Sequence, residues 1–169
     1  MAKSVSRSAV PPARRTLELF IISAQELRNA NNFGGKLNTY AVAYVDPRHK
    51  VCTRIDEEGG INPSWDQKLS LTIDQRLLED VTAQLTIEIY CPGTWKDKLL
   101  GTARVSISDA VKIRGGPKFP VTSIVLFHDS RPQGMLNICI PPALLKPHVF
   151  EGSGFRGWEK LMGVRLRAE

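Results

Sequence analysis

Short segments in which apolar and polar residues alternate run through most of this chain. Residues 84–90 place Leu85, Ile87 and Ile89 at every second position, and residues 69–73 alternate in the same way. A period of two is typical of a β-strand with one buried face. Eight strands are predicted, at residues 17–24, 40–45, 50–55, 69–73, 84–90, 102–107, 123–127 and 135–140.

Turn-forming residues separate these segments. Gly34-Gly35, Asp46-Pro47 and Pro92-Gly93 lie between strands, and residues 132–134 combine Pro with Gly. Before residue 143 only residues 74–81 are predicted to be helical, with Asp74 as the N-cap. Many strands and little helix predict an all-β fold, an eight-stranded antiparallel β-sandwich. Antiparallel order places four loops at one rim: residues 25–38, 56–66, 91–100 and 128–134.

Three parts of the chain are predicted from composition. The 169 residues are 42% hydrophobic, which suffices for one core of ordinary size. Residues 1–16 form a disordered basic segment, residues 17–142 form the sandwich domain, and residues 143–169 form a C-terminal extension. No apolar run approaches the length of a membrane span, and the N-terminus lacks a secretory signal.

The net charge of +6 belongs to the tails. Residues 1–16 carry +4 and residues 143–169 carry +2, while residues 17–142 hold 14 charges of each sign. A folded nucleic-acid reader should carry its positive patch on the domain itself. The distribution therefore argues against nucleic acid as a partner.

Three widely spaced cysteines, Cys52, Cys91 and Cys139, form no disulfide pattern and favour a reducing, cytoplasmic compartment. The Ser- and Arg-rich N-terminus leaves organelle import as an alternative, although Pro11-Pro12 interrupts any amphipathic helix there. No nucleophile elbow, metal-type histidine spacing or phosphate loop occurs. We predict neither catalysis nor a metal site.

Four stretches carry a family resemblance: residues 17–27, 33–42, 62–66 and 131–137. In their order and spacing they resemble the plant C2 proteins of the cold-regulated and copine-associated group. The resemblance spans residues 17–140 and leaves out both tails. It implies a sandwich whose rim loops meet phospholipid or protein, with roles in plant stress and defence signalling.

The rim positions that would hold calcium in such a family lack acidic side chains. Calcium prefers carboxylate oxygens, but the positions that match by resemblance are Asn32, Asn38, Cys91 (or Tyr90), Gly93 (or Pro92) and Lys98. We therefore expect no cofactor and docking without calcium. Asp97 and residues 56–58 lie nearby, and they are either a solvated loop tip or a weak ion site of another kind.

Aromatic and cationic side chains occur together on two rim loops. The candidate docking residues are Phe33, Lys36, Trp95, Lys96 and Lys98. An aromatic ring at headgroup level with lysine facing anionic lipid is a peripheral docking device. In the alternative interpretation, Phe33 and Trp95 fold back and cover the open end of the sandwich.

Two further contact sites are predicted. Lys50, Arg54 and Lys68 are a candidate headgroup site, or else a solvated outer face. The C-terminal extension offers Phe155, Trp158, Leu161 and Arg165 as tail contacts, with some helical spacing.

The predicted function is a non-enzymatic, peripheral adaptor that binds anionic phospholipid, protein partners or both. The alternative is an assembly subunit of a larger complex, in which the sandwich is a scaffold and the tails make the contacts.

Overall fold

Nine strands and two short helices form the part of the chain that the structure describes. This computed structural model describes residues 13–31, 35–112, 121–141 and 146–147. The strands are β1 (Arg14–Gln25), β2 (Tyr40–Tyr44), β3 (Val51–Cys52), β4 (Ser64–Asp74), β5 (Gln84–Cys91), β6 (Lys98–Ser106), β7 (Val121–His128), β8 (Arg131–Cys139) and β9 (Lys146–Pro147). The eight predicted strands are confirmed, although β3 spans only Val51–Cys52 of the predicted residues 50–55, and β9 is an additional strand within the predicted extension.

The strands follow one antiparallel path, β3-β2-β5-β6-β7-β8-β1-β4. Between β6 and β7 the ladder narrows to one residue pair, Thr102 with Phe127. The path folds over at this pair, which leaves β3-β2-β5-β6 as one layer and β7-β8-β1-β4 as the other. The short β9 pairs with β1 at Arg15 and Thr16. The predicted β-sandwich is confirmed.

The core lies between the two layers and follows the alternation seen in the sequence. Side chains with no exposed surface come from both layers, among them Leu17, Leu19, Ile21, Leu85, Ile87 and Ile89. Trp65 of β4 is 5% exposed, as predicted for a core residue. Its Nε1–H donates to the carbonyl of Thr39 over 3.0 Å, which fastens β4 to the entry of β2.

Two short helices lie at the end of the sandwich opposite the candidate rim. Helix α1 (Gln75–Glu79) begins at Asp74, whose carboxylate accepts a 2.9 Å hydrogen bond from the Arg76 backbone N–H, and this confirms the predicted cap. Helix α2 (Ile107–Lys112) was not predicted. Ile107 completes the apolar alternation of the preceding strand and is fully buried, so its helical start is hidden within a strand-like pattern.

The hairpin between β7 and β8 turns at Asp129 and Ser130, inside the predicted loop of residues 128–134, but β8 begins at Arg131 and not at Met135 as predicted. The φ angles of the two turn residues are +47° and +62°, as a two-residue turn between twisted strands requires. Gly134 lies inside β8 with φ +116°, and a Cβ there would lie 2.4 Å from the carbonyl oxygen of Gln25. This glycine is needed for the close approach of β8 to β1.

Candidate functional site

The predicted rim is assembled by hydrogen bonds between loops that are distant in sequence. The backbone N–H of Leu27 donates to the carbonyl of Ile61 over 3.0 Å, and the backbones of Thr39 and Asp56 exchange bonds of 3.0 and 2.8 Å. Lys98 Nζ donates to the carbonyl of Ala30 over 3.2 Å. These contacts join the β1–β2 loop, the β3–β4 loop and the end of the β5–β6 loop.

Asp56 faces the backbone of its own loop. Its Oδ1 accepts hydrogen bonds from the N–H groups of Glu58 (2.7 Å) and Gly59 (3.0 Å), and its Oδ2 accepts one from Ser64 (2.6 Å). Burial alone raises the pKa of Asp56, but these donors outweigh it and the pKa is lowered. The carboxylate therefore holds the loop together.

Asp97 also accepts hydrogen bonds from within the protein through both of its carboxylate oxygens. Its Oδ2 accepts a short hydrogen bond from the Tyr40 hydroxyl, and its Oδ1 accepts a 3.2 Å bond from the Gly93 N–H. The Tyr40 bond, followed by the backbone bond, lowers the pKa of Asp97. Burial, and then the bond to Asp97, raises the pKa of Tyr40 to about 12.

The predicted remnants of a calcium site lie in different surroundings. Asn38 is half-buried, and Cys91 is buried with its Sγ 3.9 Å from Asn31 Oδ1. Lys98 places an ammonium group on the rim. Within the described residues, no group of three or more His, Cys, Asp or Glu side chains is arranged to hold a metal ion. Asn32, like the docking candidate Phe33, falls outside the described residues.

Trp95 projects from the β5–β6 loop with 99% of its surface exposed. In this conformation it does not cover the open end of the sandwich. The adjacent Lys96 is also exposed. Two more apolar side chains are exposed on the β3–β4 loop, Ile55 at 49% and Ile61 at 41%. Sequence reasoning missed both, because an isolated isoleucine beside a turn does not distinguish an exposed position from a buried one.

Lys36 spans two rim loops. Its Nζ lies 2.8 Å from Glu58 Oε2, and both side chains are largely exposed. Of the acidic residues 56–58, Asp56 is thus held by backbone donors and Glu58 by a lysine. The negative charge that the three residues present to the outside is smaller than their sequence indicates.

The candidate headgroup residues do not form a group of free cations. Lys50 Nζ lies 4.4 Å from the centre of the Tyr44 ring and 3.6 Å from Glu88 Oε2 on β5. Lys68, on β4 of the other layer, has its Nζ 3.3 Å from Glu18 Oε1 on the neighbouring strand β1.

Arg54 of the same candidate site is anchored through its backbone, because its N–H donates to Gln67 Oε1 over 2.8 Å. The predicted tail contacts Phe155, Trp158, Leu161 and Arg165 lie outside the described residues. No helix in the described part of the chain is long and apolar enough to span a membrane.

Comparisons with known proteins agree with this architecture. A family model described as the C2 domain matches residues 15–120. Protein SRC2 of Glycine max is 31% identical over 99 residues, covering 56% of this chain and 34% of its own length. The SRC2 homolog of Arabidopsis thaliana is 30% identical over 126 residues, covering 72% of this chain and 39% of its own length. This chain thus spans well under half of either relative.

The C2A domain of plant extended synaptotagmin 1 has a similar fold. The TM-score is 0.60 with 15% sequence identity, over 83% of this chain and 99% of that structure. The predicted resemblance to plant C2 proteins is confirmed, since the family model covers more than half of the sequence and both of these relatives are plant proteins. The chain belongs to the C2 domain family.

Proposed function

We propose that this chain is a non-enzymatic C2 module that docks on anionic phospholipid surfaces without calcium. In this proposal the β5–β6 loop enters the headgroup region, and the domain acts as a cytoplasmic adaptor for protein partners in plant stress or defence signalling. The free cysteines Cys52, Cys91 and Cys139 are consistent with that compartment.

The exposure of Trp95 is the observation that carries the proposal. A tryptophan has a large apolar body and a polar N–H, so it is suited to the boundary between headgroups and acyl chains. At 99% exposure its ring can enter a bilayer without rearrangement of the domain. Lys96 stands beside it, and a lysine near an anionic surface contributes about 1 kcal/mol.

Docking without calcium is supported by the hydrogen bonds that the acidic residues of the rim already make. Asp56 and Asp97 each have both carboxylate oxygens hydrogen-bonded within the protein. A calcium ion requires roughly six to eight oxygen ligands. If Asp56 and Asp97 served as ligands, the hydrogen bonds that shape their loops would break. Lys98 adds a positive charge, which further opposes a bound cation.

Vesicle co-sedimentation tests the proposal. The full chain is mixed with phosphatidylcholine vesicles or with vesicles that also contain phosphatidylserine, in calcium or in a chelator. We expect binding to the anionic vesicles only, equal in both buffers. Trp95→Ala should weaken it roughly tenfold, about 1.4 kcal/mol.

Val81→Ala is the matched control, because Val81 is 78% exposed at the opposite end of the sandwich. It should bind like the unmodified chain. Binding that requires calcium, or equal losses from the two variants, would refute the proposal.

A further inference from the structure

The two layers separate along one side of the sandwich. Past the single Thr102–Phe127 pair, residues 103–106 of β6 pair with β5, and residues 121–125 of β7 pair with β8. Neither segment is paired with the other, although the two are neighbours in the strand path. Within the described part of the chain, each therefore turns an unpaired backbone edge towards the gap.

A cavity of about 680 Å³, which we call the β6–β7 groove, lies across the Thr102–Phe127 pair and extends from the β7–β8 turn to the start of this gap. Its lining includes Leu99, Thr102, Arg104, Ile124, Val125 and Phe127. The volume lies within the range of about 300–1,000 Å³ that is usual for ligand sites. Phe127 is 50% exposed and Val125 is 36% exposed, so much of the groove's lining is apolar surface in contact with solvent.

The backbone edges restrict what can fill the groove. An unpaired strand edge presents N–H and C=O groups that another extended chain can satisfy. An acyl chain has no groups that bond to them. A peptide in extended conformation supplies both the backbone bonds and alternating side chains for the apolar lining, as in other cases of strand addition.

The charged residues of the groove indicate which charge a partner's side chain should carry. Arg104 lines it, is exposed and forms no ion pair with any described residue. Asp129, at the turn end of the groove, lies 3.4 Å from His128 Nε2. An acidic side chain on the partner can therefore pair with Arg104. A second copy of this chain would instead bring the same arginine-bearing groove against itself, which disfavours a symmetric dimer.

We propose that the β6–β7 groove binds an extended segment of a partner protein, with apolar residues at alternate positions and an acidic residue placed against Arg104. The partner's backbone pairs with the free edge of β6 or β7. Phe127 and Val125 receive its apolar side chains. The groove adjoins the rim at Leu99 and Asp129 but is lined by neither Trp95 nor Lys96, and the proposal does not depend on lipid docking.

A displayed library of random peptides, panned against the full chain, tests the proposal. Each peptide is about eight residues long, which is within the usual range of strand lengths. Enriched sequences are synthesised with a fluorescent label, and their affinities are measured by polarisation. We expect alternating apolar sequences that contain Asp or Glu. Val125→Arg should weaken the binding of these peptides by roughly tenfold or more. The matched control Val81→Arg should leave their affinity unchanged. Thermal unfolding verifies that both variants are folded.

Arg104→Glu gives a second test that does not alter the apolar lining. Panning against this variant should enrich peptides with Lys or Arg in place of the acid. Bound peptide should also slow amide exchange at residues 103–106 or 121–125. Peptides that bind equally to all variants, or that leave these amides unprotected, would overturn the proposal. So would a dimer, detected by light scattering, that Val125→Arg dissociates.

Discussion

Lys98 reaches across the rim to the backbone of Ala30, with 3.2 Å between Nζ and the carbonyl oxygen. The two residues belong to the start of β6 and to the β1–β2 loop. The sequence resemblance predicts that calcium-binding relatives carry a metal-ligating acid at position 98. Here a cation that is part of the protein connects the two loops, so the link does not depend on a bound ion.

Replacing Lys98 by Met should loosen this link and retain most of the side chain's apolar stem. We expect a loss of about 1 kcal/mol in the free energy of unfolding, the usual net contribution of such a hydrogen bond at an exposed site. Urea unfolding measures it. Lys98→Arg is the control: it keeps the charge and should lose less stability than the Met variant. If the Met variant is as stable as the unmodified chain, the proposed link is contradicted.

Asp56 should make the domain sensitive to acid. Its folded-state pKa is lowered, so its contribution to stability is complete above the unfolded pKa of about 4 and disappears as the pH falls through the lower folded value. Asp56→Asn should therefore be less stable at neutral pH, by about 1 kcal/mol. This difference should shrink as the pH falls below about 4. Urea unfolding at several pH values checks it, and a constant difference would argue against this role.

Gly134→Ala should be strongly destabilising. The new Cβ would lie 2.4 Å from the Gln25 carbonyl oxygen, at a φ of +116°. We expect more than about 2 kcal/mol of lost stability, measured by thermal or urea unfolding. Gly60→Ala is the control, because Gly60 also has positive φ (+58°) but nothing lies within 4 Å of its added Cβ. It should lose only about 1 kcal/mol.

The Tyr40 hydroxyl should ionise only at a higher pH than an ordinary tyrosine. Burial and the bond to Asp97 raise its pKa to about 12. Because the folded value is above the unfolded value of about 10, this stabilisation is present below pH 10 and is lost as the pH rises through about 12. Asp97→Asn should lower the pKa of Tyr40, as followed by phenolate absorbance.

Asp80→Asn is the control for that titration, because the Asp80 side chain bonds to Thr82 at the other end of the sandwich. It should leave the tyrosine titration unchanged. The assignment fails if Asp97→Asn leaves the curve in place as well.

Sequence reasoning was most successful where burial repeats with period two. Leu85, Ile87 and Ile89 identify β5 from their spacing alone, and all three are fully buried. The start of β8 was predicted four residues too late because residues 132–134 contain strong turn formers. The glycine among them, Gly134, is required because it lies against the backbone of Gln25. Gln25 is far away in sequence, and only the pairing of β1 with β8 brings the two residues together.

The rim was harder to predict for the same reason. Asp97 meets Tyr40 across 57 positions, and Lys36 meets Glu58 across 22. A local pattern shows which charges are present on a loop, but it does not show which of them are neutralised by another loop. Trp95 and Lys96, which the sequence singled out, are both exposed, and their role in docking stays a prediction. Neither interpretation of residues 56–58, a solvated tip or a weak ion site, foresaw that Asp56 is hydrogen-bonded within its own loop.

Fluorescence quenching by lipids brominated along their acyl chains tests the central claim most directly. The chain has three tryptophans. Trp158→Phe removes one of them from the signal, and Trp65 is 5% exposed in the core. In this variant, anionic brominated vesicles should quench Trp95 equally with calcium and with a chelator, and Trp95→Phe should abolish the quenching. Bound protein whose Trp95 is not quenched, or is quenched only with calcium, would contradict the account.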